Sequence, residues 1–154
     1  MYWVRHATQQ DVSVIQAMLQ KAKVESDEVE KHLHHFFVVE QSEPKEMVGT
    51  MGMEVYPPFG VLRSLVLDQA VVNEKLSWQL LQILLSYAES LQLEEVYFIA
   101  GSAVNWFQEL AFEVVERTQL PKELKTCKHL RAGLKRGVLM RYKCAKQQKK
   151  QANI

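Results

Sequence analysis

The sequence predicts an α+β domain with α/β/α layering, and three stretches carry that prediction. Val61 to Leu67 is apolar on both faces apart from Arg63 and Ser64, as a central strand covered by helices would be. Phe36 to Glu40 and Met47 to about Val55 read as strands joined through the turn residues Ser42-Glu43-Pro44-Lys45, which is the pattern of a hairpin. Val96 to Ala100, broken by Gly101 and followed by a helical stretch to about Leu110, continues the chain as a strand-helix-strand-helix unit.

The remaining elements follow in order. Tyr2 to Ala7 is a first strand, and Thr8 with Asp11 opens a helix from about Gln9 to Lys23 whose Val12, Ile15, Leu19 and Ala22 recur at helical spacing. Ser26-Asp27-Glu28 starts a short helix to about His34. Pro57-Pro58-Phe59-Gly60 turns the chain into the central strand, and a long helix from about Asn73 to Leu91 follows, with Leu76, Leu80, Leu84 and Ala88 on one stripe. Ser102 is placed to cap the next helix. Phe112 to Arg117 and Gly137 to Tyr142 are the last strands, separated by Leu120-Pro121-Lys122-Glu123-Leu124 and a basic stretch to Arg136.

Bulk properties narrow the class. A chain of 154 residues, 47% hydrophobic and 24% charged, suffices for one domain with its own core, expected over residues 1–144. The lysine-rich, aperiodic segment 145–154 is expected to be a disordered tail. A formal net charge of +1 gives no field favouring nucleic acid or an anionic membrane, and the terminal lysines lack aromatic partners for a single strand. Neither Cys127 nor Cys144 has a partner at zinc-ligand spacing, the Met-Tyr-Trp-Val-Arg start lacks the apolar run of a signal peptide, and no apolar run reaches the roughly 20 residues of a membrane span. These features predict a reduced, soluble, cytoplasmic protein.

Local motifs add a resemblance. Met53-Glu54-Val55-Tyr56, then Leu62-Arg63-Ser64-Leu65-Val66-Leu67-Asp68, and later Asn105-Trp106-Phe107-Gln108-Glu109-Leu110-Ala111-Phe112 followed by Glu116 and Leu120-Pro121, resemble the amino-acid-acetylating branch of the GCN5-related N-acetyltransferase (GNAT) superfamily. That branch includes N-acetylglutamate synthases and arsinothricin acetyltransferases, and the likeness runs from about Gly49 to Tyr142. It implies a central mixed, mostly antiparallel sheet of about six to seven strands, splayed between the fourth and fifth and flanked by about four helices. It implies direct acetyl transfer from acetyl-CoA to an amino acid or similar small amine in a ternary complex, without a metal, in a protein whose relatives are commonly dimers.

The resemblance also assigns roles. Pantetheine would dock as a pseudo-strand between Leu65-Val66-Leu67 and the strand holding Ile99, with a backbone N–H near Leu65 to Leu67 polarising the thioester. Asn105 would bond the pantetheine arm or else simply faces solvent on its helix, and Phe107 stands where many relatives place a Tyr that protonates the thiolate, so that proton would come from water. On the acceptor side, Tyr56 would line the pocket or else is a packing residue beside the Pro-Pro turn, and Ser64 would lie near the acceptor. Arg63, too costly to bury alone, either forks onto the acceptor's carboxylate or forms an internal salt bridge to Glu54. Glu54 would take the amine's proton, directly or through water, or hold the ammonium group before transfer, or else is an exposed strand-end carboxylate.

One segment departs from the family. The turn Asp68 to Ser77, where the pyrophosphate of CoA would sit, has no Gly. Val72 stands where Arg or Gln is expected, and Lys75 and Ser77 where two glycines are expected, flanking Leu76. A Cβ at Lys75 or Ser77 obstructs close backbone approach, and Glu74 adds like charge; the helix N-terminus and the Lys75 ammonium remain available to an anion. The alternative function is therefore a catalytically impaired GNAT-fold protein acting as a ligand-binding or interaction module. Elsewhere, His32 and His35 share a helical face beside His34, but no neighbouring carboxylate in the sequence completes a metal site. Lys122, Lys125, Lys128, Arg131, Lys135 and Arg136 read as a solvated basic face.

Overall fold

The computed structural model describes residues 1–71 and 73–144; Val72 and the tail expected to be disordered lie outside the described residues. Among the described residues, seven strands form one sheet in the order β1-β2-β3-β4-β5-β7-β6. The strands are β1 (Tyr2–His6), β2 (Phe36–Gln41), β3 (Glu46–Tyr56), β4 (Phe59–Leu67), β5 (Glu95–Ala100), β6 (Glu113–Val114) and β7 (Val138–Lys143). The α-helices are α1 (Val12–Lys21), α2 (Glu74–Ser90), α3 (Val104–Glu109) and α4 (Lys128–Gly133). The sheet is mixed, as the sequence predicts: β4 and β5 run parallel, with Phe59, Gly60 and Val61 opposite Glu95, Val96 and Tyr97, while β1–β2, β2–β3, β5–β7 and β6–β7 are antiparallel.

Contacts divide the chain into two units, Met1–Glu54 with Leu62–Leu84, and Val55–Val61 with Leu85–Ile154. In the first, the stripe of α1 is buried as its spacing requires: Ile15 and Leu19 pack with Val29, Phe36 and Val38. The hydrogen bonds at the start of that helix run to Asp11, which accepts the Thr8 N–H at 2.7 Å and the Thr8 hydroxyl at 3.1 Å. Arg5 on β1 clamps the same carboxylate through two bonds of 2.8 and 3.0 Å and also bonds Glu40 on β2. The guanidinium, then the Thr8 N–H, hold Asp11 down at about 2 against the opposing effect of burial. Gly52 is required by close packing, since a Cβ there would lie 2.6 Å from the ring of Phe36.

The second unit buries Val61, Tyr97, Val115, Leu120, Leu124, Cys127, Leu130 and Leu139 together. Three sequence expectations are corrected here. The strand expected over Phe112 to Arg117 shrinks to Glu113–Val114, because Phe112 turns inward onto Phe98, Phe107 and Tyr142 while Glu116 donates its N–H to Gln119 and opens a 3-10 helix, Arg117–Gln119. Ala103, rather than Ser102, precedes α3, and no side chain caps it. The basic stretch contains α4, whose Leu130 is fully buried while Lys128 and Arg131 face solvent. Lys122, Lys125, Lys135 and Arg136 are exposed as well, in keeping with a solvated basic face.

Candidate functional site

Glu54 and Arg63 lie on consecutive strands, β3 and β4, and meet in the interior of the first unit. Arg63 Nη1 donates to Glu54 Oε2 at 2.9 Å, and both side chains are 1% exposed. The other arms of the guanidinium are committed too: Nε donates to Ser64 Oγ at 3.0 Å and Nη2 to the Glu25 carbonyl at 3.0 Å. Adjacent residues of a regular strand point to opposite faces, so a bond between the side chains of Arg63 and Ser64 needs a break in the pleat. Ser64 supplies it with a left-handed φ of 63°, a costly conformation for a residue with a Cβ. The guanidinium also lies over the ring of Phe36, 5.7 Å from its centroid, and that ring packs against Gly52.

A residue that sequence reasoning did not assign joins this cluster. His32, 7% exposed, places Nε2 3.2 Å from Glu54 Oε1, so Glu54 stands between an imidazole and a guanidinium. Its segment is a 3-10 helix, Glu30–His35, kinked at His32. Two carboxylates stand close to this histidine: donor atoms of Glu28, His32 and Glu54 lie within 4.8 Å of one another. The sequence signal that could have found the local half is the i, i+4 spacing of Glu28 and His32; Glu54 arrives only through the sheet. Neighbouring His35 stays neutral at physiological pH, because burial and then the charges of His34, His32 and His6 push it down to about 4.

Of the internal salt bridge and the carboxylate fork considered for Arg63, the structure contains the salt bridge. Glu54 is an interior group and not a strand-end carboxylate. Beyond Ser64, β4 changes character. Leu65, Val66 and Leu67 are half-buried, and Gly49 on β3 lies so close that a Cβ there would come within 2.6 Å of Leu67.

The following turn is closed by its own side chains. Asp68 Oδ1 accepts the Ala70 N–H at 2.9 Å, the Asp68 carbonyl accepts the Val71 N–H at 2.9 Å, and Asn73 Oδ1 accepts the Leu76 N–H at 2.8 Å. Asn73 therefore caps α2. Glu74 and Lys75 begin the helix in exposed positions, where first-turn N–H groups have no intrahelical acceptor. Leu76 and Ser77 are half-buried. Lys75 and Leu76 also border an apolar groove of about 800 Å³ lined by Tyr2, Trp3, Trp78 and Ile83.

The other predicted site residues belong to the second unit. Tyr56 and Ile99 are half-buried against its core, and Asn105 is exposed on α3. Phe107 is 5% exposed, packed among Phe98, Trp106 and Phe112 at centroid distances of 4.5, 4.9 and 5.4 Å. No helix among the described residues is long and apolar enough to cross a membrane.

No family model matches the chain. It is 30% identical over 131 residues to the uncharacterized protein YwlB of Bacillus subtilis (strain 168), an alignment spanning 83% of this chain and 86% of YwlB. Among solved structures it is similar to N-acetylglutamate synthase from Neisseria gonorrhoeae complexed with coenzyme A and N-acetyl-glutamate, with a TM-score of 0.77 and 16% identity. That match covers 94% of this chain but 35% of the synthase, so the chain spans about a third of that enzyme's length. It is likewise similar to Rv2747 from Mycobacterium tuberculosis in complex with CoA, with a TM-score of 0.75, 18% identity, and coverage of 92% of this chain and 98% of Rv2747. The architecture is thus the GNAT fold.

Proposed function

From the premise that the chain belongs to the family of B. subtilis YwlB and has the GNAT fold, we propose that it is an acetyl-CoA-dependent N-acetyltransferase acting on an amino acid or similar small amine. The observation that carries this reading is the division of labour along β4. Arg63 and Ser64 organise a buried carboxylate, and the next three residues are half-buried backbone leading to the start of a helix. Acceptor chemistry and cofactor grip adjoin within one strand.

In the proposed reaction the acceptor nitrogen attacks the thioester carbonyl carbon, the C–S bond breaks, and CoA leaves as a thiolate. A backbone N–H of Leu65 to Leu67 takes the developing charge on the oxygen. The surplus proton on nitrogen passes to Glu54 through a bridging water, because the carboxylate is enclosed. Arg63 acts as a positioning residue that orients Glu54, while Ser64 and Tyr56 serve the acceptor side. Ile99 and Asn105 serve the pantetheine arm. Phe107 carries no proton, so the thiolate takes one from water.

For the phosphates, the first-turn N–H groups of α2 and the Lys75 ammonium form a reduced grip. A second reading is favoured by the Asn73 cap, which already holds the Leu76 N–H: a GNAT-fold module that binds a small ligand without acetyl transfer. Calorimetric titration with acetyl-CoA, followed by mass spectrometry of a panel of amino acids incubated with protein and cofactor, separates the two. Saturable binding and an acetylated product support the enzyme. No saturable binding at millimolar acetyl-CoA sinks it and leaves the binding module.

A further inference from the structure

Glu28 and His32 join Glu54 in a donor set, and neither of these two has a part in the proposed acetyl transfer. His32 and Glu54 are interior residues, 7% and 0% exposed, and their facing atoms, Nε2 and Oε1, are 3.2 Å apart. Two ligands bound to one tetrahedral ion at bond lengths of about 2.0 to 2.1 Å sit roughly 3.3 to 3.4 Å from each other. The imidazole and carboxylate already stand near that spacing. The third donor, on half-buried Glu28, lies within 4.8 Å of the other two, and its flexible side chain can close the difference.

We propose that Glu28, His32 and Glu54 form a binding site for a divalent transition-metal ion of the zinc class. One imidazole nitrogen with two carboxylate oxygens suits Zn²⁺, Co²⁺ or Mn²⁺, whereas Mg²⁺ and Ca²⁺ prefer an all-oxygen shell. The surroundings supply an orienting partner outside the ligands. Arg63 holds Oε2 of Glu54 at 2.9 Å and thereby turns Oε1 towards His32. Two carboxylates against one guanidinium and a dication leave a net charge of one, so the pocket carries the ion without a large surplus. A bound ion ties the Glu30–His35 segment to β3 and occupies the Glu54 oxygen that faces His32.

The inference does not rest on acetyl transfer, since metal binding has its own readout. The chelator-treated full chain is titrated with Co²⁺ and the visible d–d absorption followed, with Zn²⁺ as competitor. The expected result is a saturable 1:1 spectrum displaced by Zn²⁺, weakened at least tenfold in His32→Ala and in Glu28→Gln and kept in the double variant His34→Ala/His35→Ala. Affinity falls as pH is lowered, because the ligating imidazole must be neutral. Absence of a saturable spectrum at millimolar Co²⁺ overturns the proposal. So does binding that survives His32→Ala but is lost with His34 and His35. Should His32→Ala fail to fold, Glu28→Gln decides the matter: its side chain is only half-buried, and unchanged affinity in it counts against the site.

Discussion

The middle of β4 and the start of α2 answer the same question in opposite ways. At Arg63 and Ser64 the strand builds its site from side chains. The guanidinium is enclosed, every arm is bonded, and the partners come from β3, from Ser64 on β4 itself and from the segment before the Glu30–His35 helix. Ten residues on, at Asn73 to Ser77, the site is made of backbone and faces solvent, and the chain satisfies part of it by itself through Asn73. A side-chain site fails when one partner is removed. A backbone site fails more gradually, by accumulating Cβ atoms and self-made caps.

The contrast is open to direct attack at the interior end. Arg63→Ala leaves the Glu54 carboxylate buried beside a lost partner, and urea denaturation should show a loss of about 3 to 5 kcal/mol. Removing both charges together, as Glu54→Leu with Arg63→Met, should cost markedly less than Arg63→Ala; equal losses would show that the pair is not coupled. Glu54→Gln keeps the shape and removes the base. Acetyl transfer should fall by about 100-fold with acetyl-CoA affinity unchanged, and a parallel loss of affinity would move Glu54 out of the acceptor side.

Smaller effects sharpen the comparison. Gly52→Ala pushes a methyl group into the ring of Phe36, which carries the guanidinium of Arg63, and should cost about 1 to 3 kcal/mol in thermal or chemical unfolding. Asp11 provides a pH test elsewhere in the same unit. Its folded pKa, about 2, lies below the unfolded value of 3.8, so it contributes stability above the unfolded value that is lost as pH falls through the folded one. With Arg5 38% exposed at the side chain, solvent screening reduces this to about 1 to 2 kcal/mol between pH 4 and pH 2, and the step should vanish in Asp11→Asn. At the turn, Val72→Arg with Lys75→Gly and Ser77→Gly should tighten acetyl-CoA binding by about three- to tenfold, since each Gly also weakens the helix start. Unchanged affinity by calorimetry would mean that Asn73, and not the Cβ atoms, blocks the site.

The readability of these regions from sequence follows from how local their causes are. The period of α1, the double-sided apolarity of β4 and the stripe of α2 are set by neighbours in the chain, and each was legible. The interruption at Arg63-Ser64 was legible as an oddity because an unpaired guanidinium is so costly to bury. What resolved it was not legible: the Glu25 carbonyl reaches Arg63, and Glu28 and His32 reach Glu54, across more than 20 residues, and no periodicity encodes that meeting. Helix α4 was masked by its charges, although Leu124, Cys127, Leu130 and Leu134 recur at near-helical spacing. The short β6 had a different cause, since Phe112 joins an aromatic cluster with Phe98, Phe107 and Tyr142 and does not extend the edge strand.

The two cysteines lie in the second unit, both buried, and burial followed by the charges of Glu89 and Glu95 pushes Cys144 up to about 11. A thiol enclosed in this way is a poor nucleophile at neutral pH, and a disulfide reagent added to the native protein meets neither sulfur quickly. Free coenzyme A, by contrast, presents an open thiol. Colour released by such a reagent during turnover would therefore count transferred acetyl groups one for one against a nearly silent background, with no cysteine replaced.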